Sequence, residues 1–240
     1  MSGHPLLFYP FTLCGVQGRS PCARANRESA FGAGSSPVPN PQPLDPIPDP
    51  RAPRPDLLNL HALTPRSATN GPGWRFVIHL QGCSLRCPGC FNPETHDFAP
   101  RLLMSPADLA ERVMAEPDLE GVTISGGEPL HQIAALTTFL KLLRGHSQLS
   151  VLLFSGYPLE EARALSEFDR LLACVDVLVD GRYVESLRCA DGLRGSSNQR
   201  LHLLTDRYSP TDLAPPGSAE VILEPDGHLV VTGFDPPAVS

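Results

Sequence analysis

The chain has 240 residues, 41% of them hydrophobic, and a formal net charge of -7. That length holds one good-sized domain with tails, and the acidic balance argues against a general nucleic-acid binder, which is ordinarily basic. No apolar run is long enough to span a bilayer, and Leu6 to Leu13 is short, broken by Pro10 and without a basic flank, so neither a membrane partner nor a signal peptide is expected and the expected location is the cytoplasm.

From Met1 to residue 56 the chain reads as a disordered, proline-rich segment. Prolines crowd Pro37 to Pro55, where neither a helix nor a sheet ladder persists and an extended, polyproline-like tail is expected. Cys14 and Cys22 fall in it with no third ligand beside them. A core domain is expected over residues 57–206. Within it, Arg75 to Gln81 (RFVIHLQ) reads as a strand that runs into a cysteine loop, Gly82 to Phe91. Ser105-Pro106-Ala107-Asp108 reads as a helix start, with Ser as N-cap, Pro at the first helical position and an acid in the first turn. Gly121 to Ser125 is a second strand, and Pro129 to Arg144 a helix with Ile133, Leu136, Leu140 and Leu143 on one face and Gly145 as its stop. Val151 to Phe154 and Val175 to Val179 are further strands, with a short helix, Leu159 to Leu165, between them.

Short apolar strands alternating with helices predict βα units and a parallel sheet. About four such strands are too few for a closed barrel. The expected fold is α/β: a short, open partial (β/α) barrel with a parallel sheet. The last segment, residues 207–240, is expected to add a C-terminal β-hairpin from Val221–Leu223 and Leu229–Thr232 around a turn at Pro225-Asp226-Gly227.

Seven cysteines in a cytoplasmic chain read as reduced thiols or metal ligands. Cys83, Cys87 and Cys90 lie in GCSLRCPGCF, a C-x3-C-x2-C spacing. Three thiolates on one short loop can each take one iron of a cubane cluster and leave the fourth iron open to a ligand. The competing reading is tetrahedral zinc with His96 as fourth ligand. Cys174 reads as a core thiol and Cys189 as a surface thiol.

Ser125-Gly126-Gly127-Glu128-Pro129 joins a strand to a helix. Glycines there allow a close backbone approach, and Glu128 stands where it can balance charge at the helix start. Alone the motif is a tight βα turn. Paired with the cysteine loop it marks a site, because ligands gather at the carboxyl ends of parallel strands. Ser155-Gly156-Tyr157 and Asp180-Gly181-Arg182 end the next two strands at the same expected rim.

Together these residues resemble the radical S-adenosylmethionine (SAM) superfamily, and more narrowly its glycyl-radical enzyme activating proteins, those of anaerobic ribonucleotide reductases. The resemblance runs from about Leu57 to Leu204 and rests on NGPG (Asn70–Gly73), CSLRCPGCFNPETH (Cys83–His96), SGGEPLH (Ser125–His131), FSGY (Phe154–Tyr157), VLVDGRY (Val177–Tyr183) and GSSNQR (Gly195–Arg200). It implies a [4Fe-4S] cluster on Cys83, Cys87 and Cys90, with SAM on the open iron. It implies that Gly126, Gly127 and Glu128 take the methionine part and that Gly89 and Phe91 lie against SAM; Ser155 and Asp180, from their place at the strand ends, are further candidates for binding it. It further implies reductive cleavage of SAM to a 5′-deoxyadenosyl radical, a large glycyl-radical enzyme as partner, and a one-electron donor such as flavodoxin or ferredoxin. Asn198 and Gln199 would line the partner channel. Two other functions stay open on the residues alone: a radical SAM enzyme acting on a peptide or small molecule, and a non-catalytic electron carrier or zinc module.

Overall fold

The computed structural model describes residues 56–213, 219–223 and 229–233. The proline-rich tail with Cys14 and Cys22, and the predicted turn at Pro225-Asp226-Gly227, lie outside the described residues. In chain order the strands are β1 Leu58–Ser67, β2 Arg75–Leu80, β3 Leu102–Met104, β4 Gly121–Gly126, β5 Ser150–Ser155, β6 Val177–Asp180, β7 Arg188–Asp191, β8 Arg194–Ser196, β9 Arg200–Leu203, β10 Ala219–Leu223 and β11 Leu229–Gly233. The α-helices are α1 Pro106–Met114, α2 Ile133–His146, α3 Leu159–Ala162 and α4 Phe168–Leu172.

Seven strands form one sheet in the order β3-β1-β2-β4-β5-β6-β9, while β7-β8 and β10-β11 are separate hairpins. The middle four strands are parallel to one another. Each is followed in space by the next in sequence, with helices in every crossover. Because such crossovers share one hand, the helices fall on one face, and the sheet curls as an arc of a barrel without closing. The alternation of side chains then sorts the strands. Phe76, Ile78, Leu80, Val122, Ile124, Val151, Leu153 and Leu178 pack under Leu109, Val113, Leu136, Phe139, Leu140, Leu143 and Phe168 from the helices. Each of these side chains buried in full contributes roughly 1.5–3 kcal/mol against its exposed state. The intervening residues, among them His79, Ser125 and Phe154, face the other side of the sheet and wall a cavity.

The expected parallel core is present, and the edges add to it: β1 pairs antiparallel with β2 and with β3 on one side, and β9 pairs antiparallel with β6 on the other. β1 escapes a sequence reading because Pro65 interrupts it. The proline sits where the β1–β2 register shifts, between Thr64 and Ser67, and a bulge tolerates a residue with no N–H to donate. The predicted helix from Pro129 begins with a tighter 3₁₀ turn, Pro129–Gln132, before α2. Gly145 does not stop it. The helix runs on to His146 and ends where Ser147 donates from its N–H (2.9 Å) and its hydroxyl (2.8 Å) to the Leu143 carbonyl. The helix expected from Leu159 to Leu165 ends at Ala162, and α4 follows after Glu167 in the left-handed region at φ 71°.

At the base of the sheet the guanidinium of Arg75 is fully buried. It donates to Thr123 Oγ1 (2.6 Å), Ser150 Oγ (2.9 Å) and the Pro72 carbonyl (3.2 Å), and so ties three parallel strands together at the end remote from the cysteine loop. The predicted start of α1 stands as expected. Ser105 Oγ accepts from the Asp108 N–H at 3.1 Å, with Pro106 at the first turn. Ser105→Ala is expected to lower stability by about 1 kcal/mol, read as an earlier urea midpoint with an unchanged slope.

Candidate functional site

The strand register sets the rim of the site. Leu80 stands opposite Gly126, and Ser155 opposite Asp180. The cysteine loop, the glycine turn and the two later strand ends therefore emerge side by side at the carboxyl end of the parallel sheet. They border a cavity of about 420 Å³. Cys83, Cys87, Cys90, Phe91, Gly126, Gly127, Glu128 and Ser155 all line it, whereas Gly89 and Asp180 do not.

The cysteine loop is held from both sides. The Gly82 and Cys83 N–H groups donate to the carbonyls of Thr95 (2.8 Å) and His96 (3.2 Å), and the Cys90 N–H donates to Cys87 O at 3.1 Å. Arg86 at φ 45° and Gly89 at φ 72° curl the chain between the cysteines. Burial pushes the Cys83 and Cys90 thiols above their ordinary values, so taking up a metal cluster here must displace protons. His96 also lines the cavity, and its buried Nε2 has no hydrogen-bond partner among the described residues. Among the described residues, no three His, Cys, Asp or Glu side chains are gathered as one ion requires. A tetrahedral zinc holds every donor atom about 2 Å from one point. A cubane distributes its thiolates over separate irons, and the three thiols line one cavity.

The glycine turn is tight for a reason the sequence does not state. A Cβ on Gly126 would lie 2.5 Å from the Leu80 nitrogen, and one on Gly127 would lie 2.4 Å from the Gly82 carbonyl oxygen. The glycines thus let the turn press on the end of β2 and the root of the cysteine loop. Two backbone bonds seal the contact: Gly127 N–H to Leu80 O at 2.7 Å, and Glu128 N–H to Gly82 O at 2.9 Å.

Glu128 is 1% exposed. Its Oε1 accepts from Leu130 N–H (2.9 Å) and Ser155 Oγ (2.9 Å), and its Oε2 from Gly156 N–H (2.8 Å). The SGGEP and FSGY motifs are in this way one hydrogen-bonded unit. Burial pushes the carboxyl up to about 7 against those three donors. A folded-state pKa above the unfolded one stabilises at low pH, and that stability is lost as pH rises toward about 7. Between pH 6 and 8 the cluster-free wild type is expected to lose about 1 kcal/mol more than Glu128→Gln. The amide's mismatch with one donor is a constant offset over that range. Parallel slopes of unfolding free energy against pH in the two proteins would refute this.

Asp180 turns away from the cavity. It accepts from the Leu159 N–H at the start of α3 (2.6 Å) and pairs with Arg200 at 3.2 Å. Gly89 sits against the Glu185 side chain. Phe91 packs on Tyr183 with centroids 4.7 Å apart, under the Arg188 guanidinium. His131 lies on the 3₁₀ turn outside the cavity wall, where its Nε2 links Ser84 of the cysteine loop (3.1 Å) to Tyr157 (3.2 Å). Gln199 binds the Gly195 N–H and the Gly181 carbonyl, each at 2.9 Å, and Asn198 binds the Arg182 carbonyl at 2.8 Å. Both amides satisfy loop backbone, and only Gln199 also meets the cavity.

Cys174 is a core thiol, as predicted, and Cys189 is half-buried on β7. Arg144, for which the sequence offers no role, clasps Asp176 (2.6 Å) and the Cys174 carbonyl (3.1 Å). Sequence reasoning missed His61, His79 and Val231 to Gly233 in the cavity wall. The signal for His79 was its place one residue before the end of β2 on the face away from the helices.

Comparison with known proteins is consistent with this geometry. A family described as "4Fe-4S single cluster domain" matches residues 69–202. The anaerobic ribonucleoside-triphosphate reductase-activating protein of Enterobacteria phage T4 is 31% identical over 156 residues, which cover 62% of this chain and 96% of that protein. Proteins of the same name from Vibrio cholerae (31% identical, 62% of this chain and 99% of theirs) and Escherichia coli K12 (29%, 61% and 99%) are similar over the same extent. No helix among the described residues is long and apolar enough to cross a membrane. The chain belongs to the anaerobic ribonucleoside-triphosphate reductase-activating proteins, radical SAM oxidoreductases built on a single-cluster 4Fe-4S domain.

Proposed function

We propose that this chain holds a [4Fe-4S] cluster on Cys83, Cys87 and Cys90, binds SAM beside it, and reductively cleaves SAM to install a glycyl radical on an anaerobic ribonucleotide reductase-like partner. The reading rests on one observation: three thiols and the buried Glu128 turn wall a single cavity at the carboxyl ends of the parallel strands. The donor set fits the cluster, since thiolates are its usual protein ligands and three leave one iron corner free. When bound, the reduced cluster supplies one electron to the sulfonium of SAM, breaking its C5′–S bond.

The chain's own residues do the rest. The loop around Cys83 to Cys90 supplies the thiolates, and its bonds to Thr95 and His96 fix their spacing. The Gly126–Glu128 turn is the methionine-binding edge; once ionised, Glu128 counters an ammonium while its three donors hold it in place. Phe91 and Tyr183 form an apolar side that excludes water. Asp180 acts at one remove, fixing the start of α3 and Arg200. The open arc of the sheet leaves room for a protein substrate, and the electron donor is a small one-electron carrier such as flavodoxin.

The test is anaerobic reconstitution with iron and sulfide, reduction with dithionite, addition of SAM, and chromatography for 5′-deoxyadenosine. A partner reductase added to the same mixture should show a glycyl radical by electron paramagnetic resonance (EPR). No 5′-deoxyadenosine from iron-loaded protein refutes the enzyme. Cleavage without a radical on the reductase refutes the partner and leaves a peptide or small-molecule substrate.

A further inference from the structure

The C-terminal hairpin lies beyond residue 202, where the family match ends, yet it is built into the cavity. Its strands pair in a continuous antiparallel ladder from Ala219↔Gly233 to Leu223↔Leu229. On β10, Glu220 Oε2 accepts from Ser67 Oγ (2.7 Å) and the Ala68 N–H (3.1 Å) at the end of β1. On β11, Thr232 Oγ1 accepts from Asn70 Nδ2 at 2.8 Å, and the same amide nitrogen donates to Ser67 Oγ at 2.9 Å. Ser67 is fully buried and Thr232 is 7% exposed, whereas Val221 and Leu223 on β10 are 52% and 69% exposed. The hairpin therefore presents one face inward, carrying the cross-strand pair Glu220 and Thr232, and the other, carrying Val221 and Leu223, outward. Val231, Thr232 and Gly233 share the cavity wall with Asn70, His79 and the three cysteines.

We propose that the β10–β11 hairpin is a floor this chain adds to the family core, that Glu220 anchors it, and that Thr232 is a positioning residue setting how deeply SAM sits and how far water enters. This rests on the function proposed above. The physical case is one of shape. An arc of a barrel leaves one sheet face uncovered, and a radical generated there needs water kept out. Two anchors, one of them a carboxylate with two donors, are more than a passive tail needs. A hydroxyl that accepts one bond still has a proton to donate, so Thr232 can serve Asn70 and a ligand together.

The experiment uses the full chain with Glu220→Gln, Thr232→Val and Thr232→Ser. In the cluster-free protein, alkylation of Cys83 by iodoacetamide is followed by peptide mass spectrometry with Cys174 as internal reference. In the reconstituted protein, SAM affinity is read from the change that SAM causes in the cluster's EPR spectrum. Glu220→Gln and Thr232→Val are expected to speed Cys83 alkylation several-fold relative to Cys174 and to weaken SAM binding ~10-fold, the order expected from losing one hydrogen bond. Thr232→Ser should match wild type in both. Variants equal to wild type in both measurements overturn the proposal, as does equal acceleration at Cys83 and Cys174, which reports general loosening. If wild type itself binds no SAM, the functional reading fails, and the alkylation ratio alone still decides whether the hairpin closes the cavity.

Discussion

Cys87→Ala is expected to lose the cluster and SAM cleavage together, with the fold intact. The thiol is half-exposed on a loop and lies outside the buried core, so its removal leaves little cavity and costs little stability. Its chemical cost is large. A cubane with three protein ligands has no spare: two thiolates leave two irons open, and such a site does not hold its metal. Losing an outer partner of a metal ligand typically costs 10–100-fold in affinity, and losing the ligand itself should exceed ~100-fold. Iron content after reconstitution and 5′-deoxyadenosine yield should both fall to background. Cys174→Ala, at a thiol packed in the helix-side core, should keep both. Retention of either property in Cys87→Ala would break the assignment of the loop.

Gly127→Ala should show the second largest effect, and it acts through backbone. The added methyl would stand 2.4 Å from the Gly82 carbonyl oxygen and 2.9 Å from its carbon. Neither atom is the free end of a side chain, so the turn or the loop root must move. Forced overpacking of this kind costs about 1–3 kcal/mol. The displaced carbonyl is the acceptor for the Glu128 N–H and immediately precedes Cys83. The strain therefore falls on the carboxylate and the first thiol at once. Denaturant unfolding should show the stability loss, and iron uptake at limiting iron should drop with it. Gly145→Ala is the matched control. Outside the helix's own backbone, no atom of the described residues lies within 4 Å of a Cβ there, and the position is inside α2, so alanine should raise stability by roughly 0.5–1 kcal/mol.

The parallel core was legible because its signals are local. Apolar runs bounded by glycine, a capped helix start and a cysteine spacing each declare themselves within ten residues. The rest depends on partners distant in sequence. β1 reads as non-strand because of Pro65, and only its bulged pairing with β2 accommodates it. Gly145 reads as a helix stop, but it lies inside α2 and outside the left-handed region, and Ser147 ends the helix instead.

Of the proposed site residues, the three cysteines and Glu128 line one cavity. Asp180 shares the rim by register yet is drawn aside by Arg200 and the Leu159 N–H at the start of α3. Periodicity places a residue on an edge without saying which neighbour its carboxylate will meet. The glycines of SGGEP were legible as a demand for close approach. That the approach is to the chain's own β2 end, and not only to a ligand, needed coordinates. The hairpin was visible as an element, but its seat in the cavity depends on Ser67 and Asn70, some 150 residues earlier in the chain.

Mössbauer spectroscopy of anaerobically reconstituted protein, before and after SAM, tests the central claim most directly. A trio of thiolates gripping a cubane with one vacant corner predicts four irons per cluster, one of them distinct from its fellows and shifted when SAM is added. Protein that takes up no iron and instead holds a single tetrahedral zinc at the cysteine loop would contradict it.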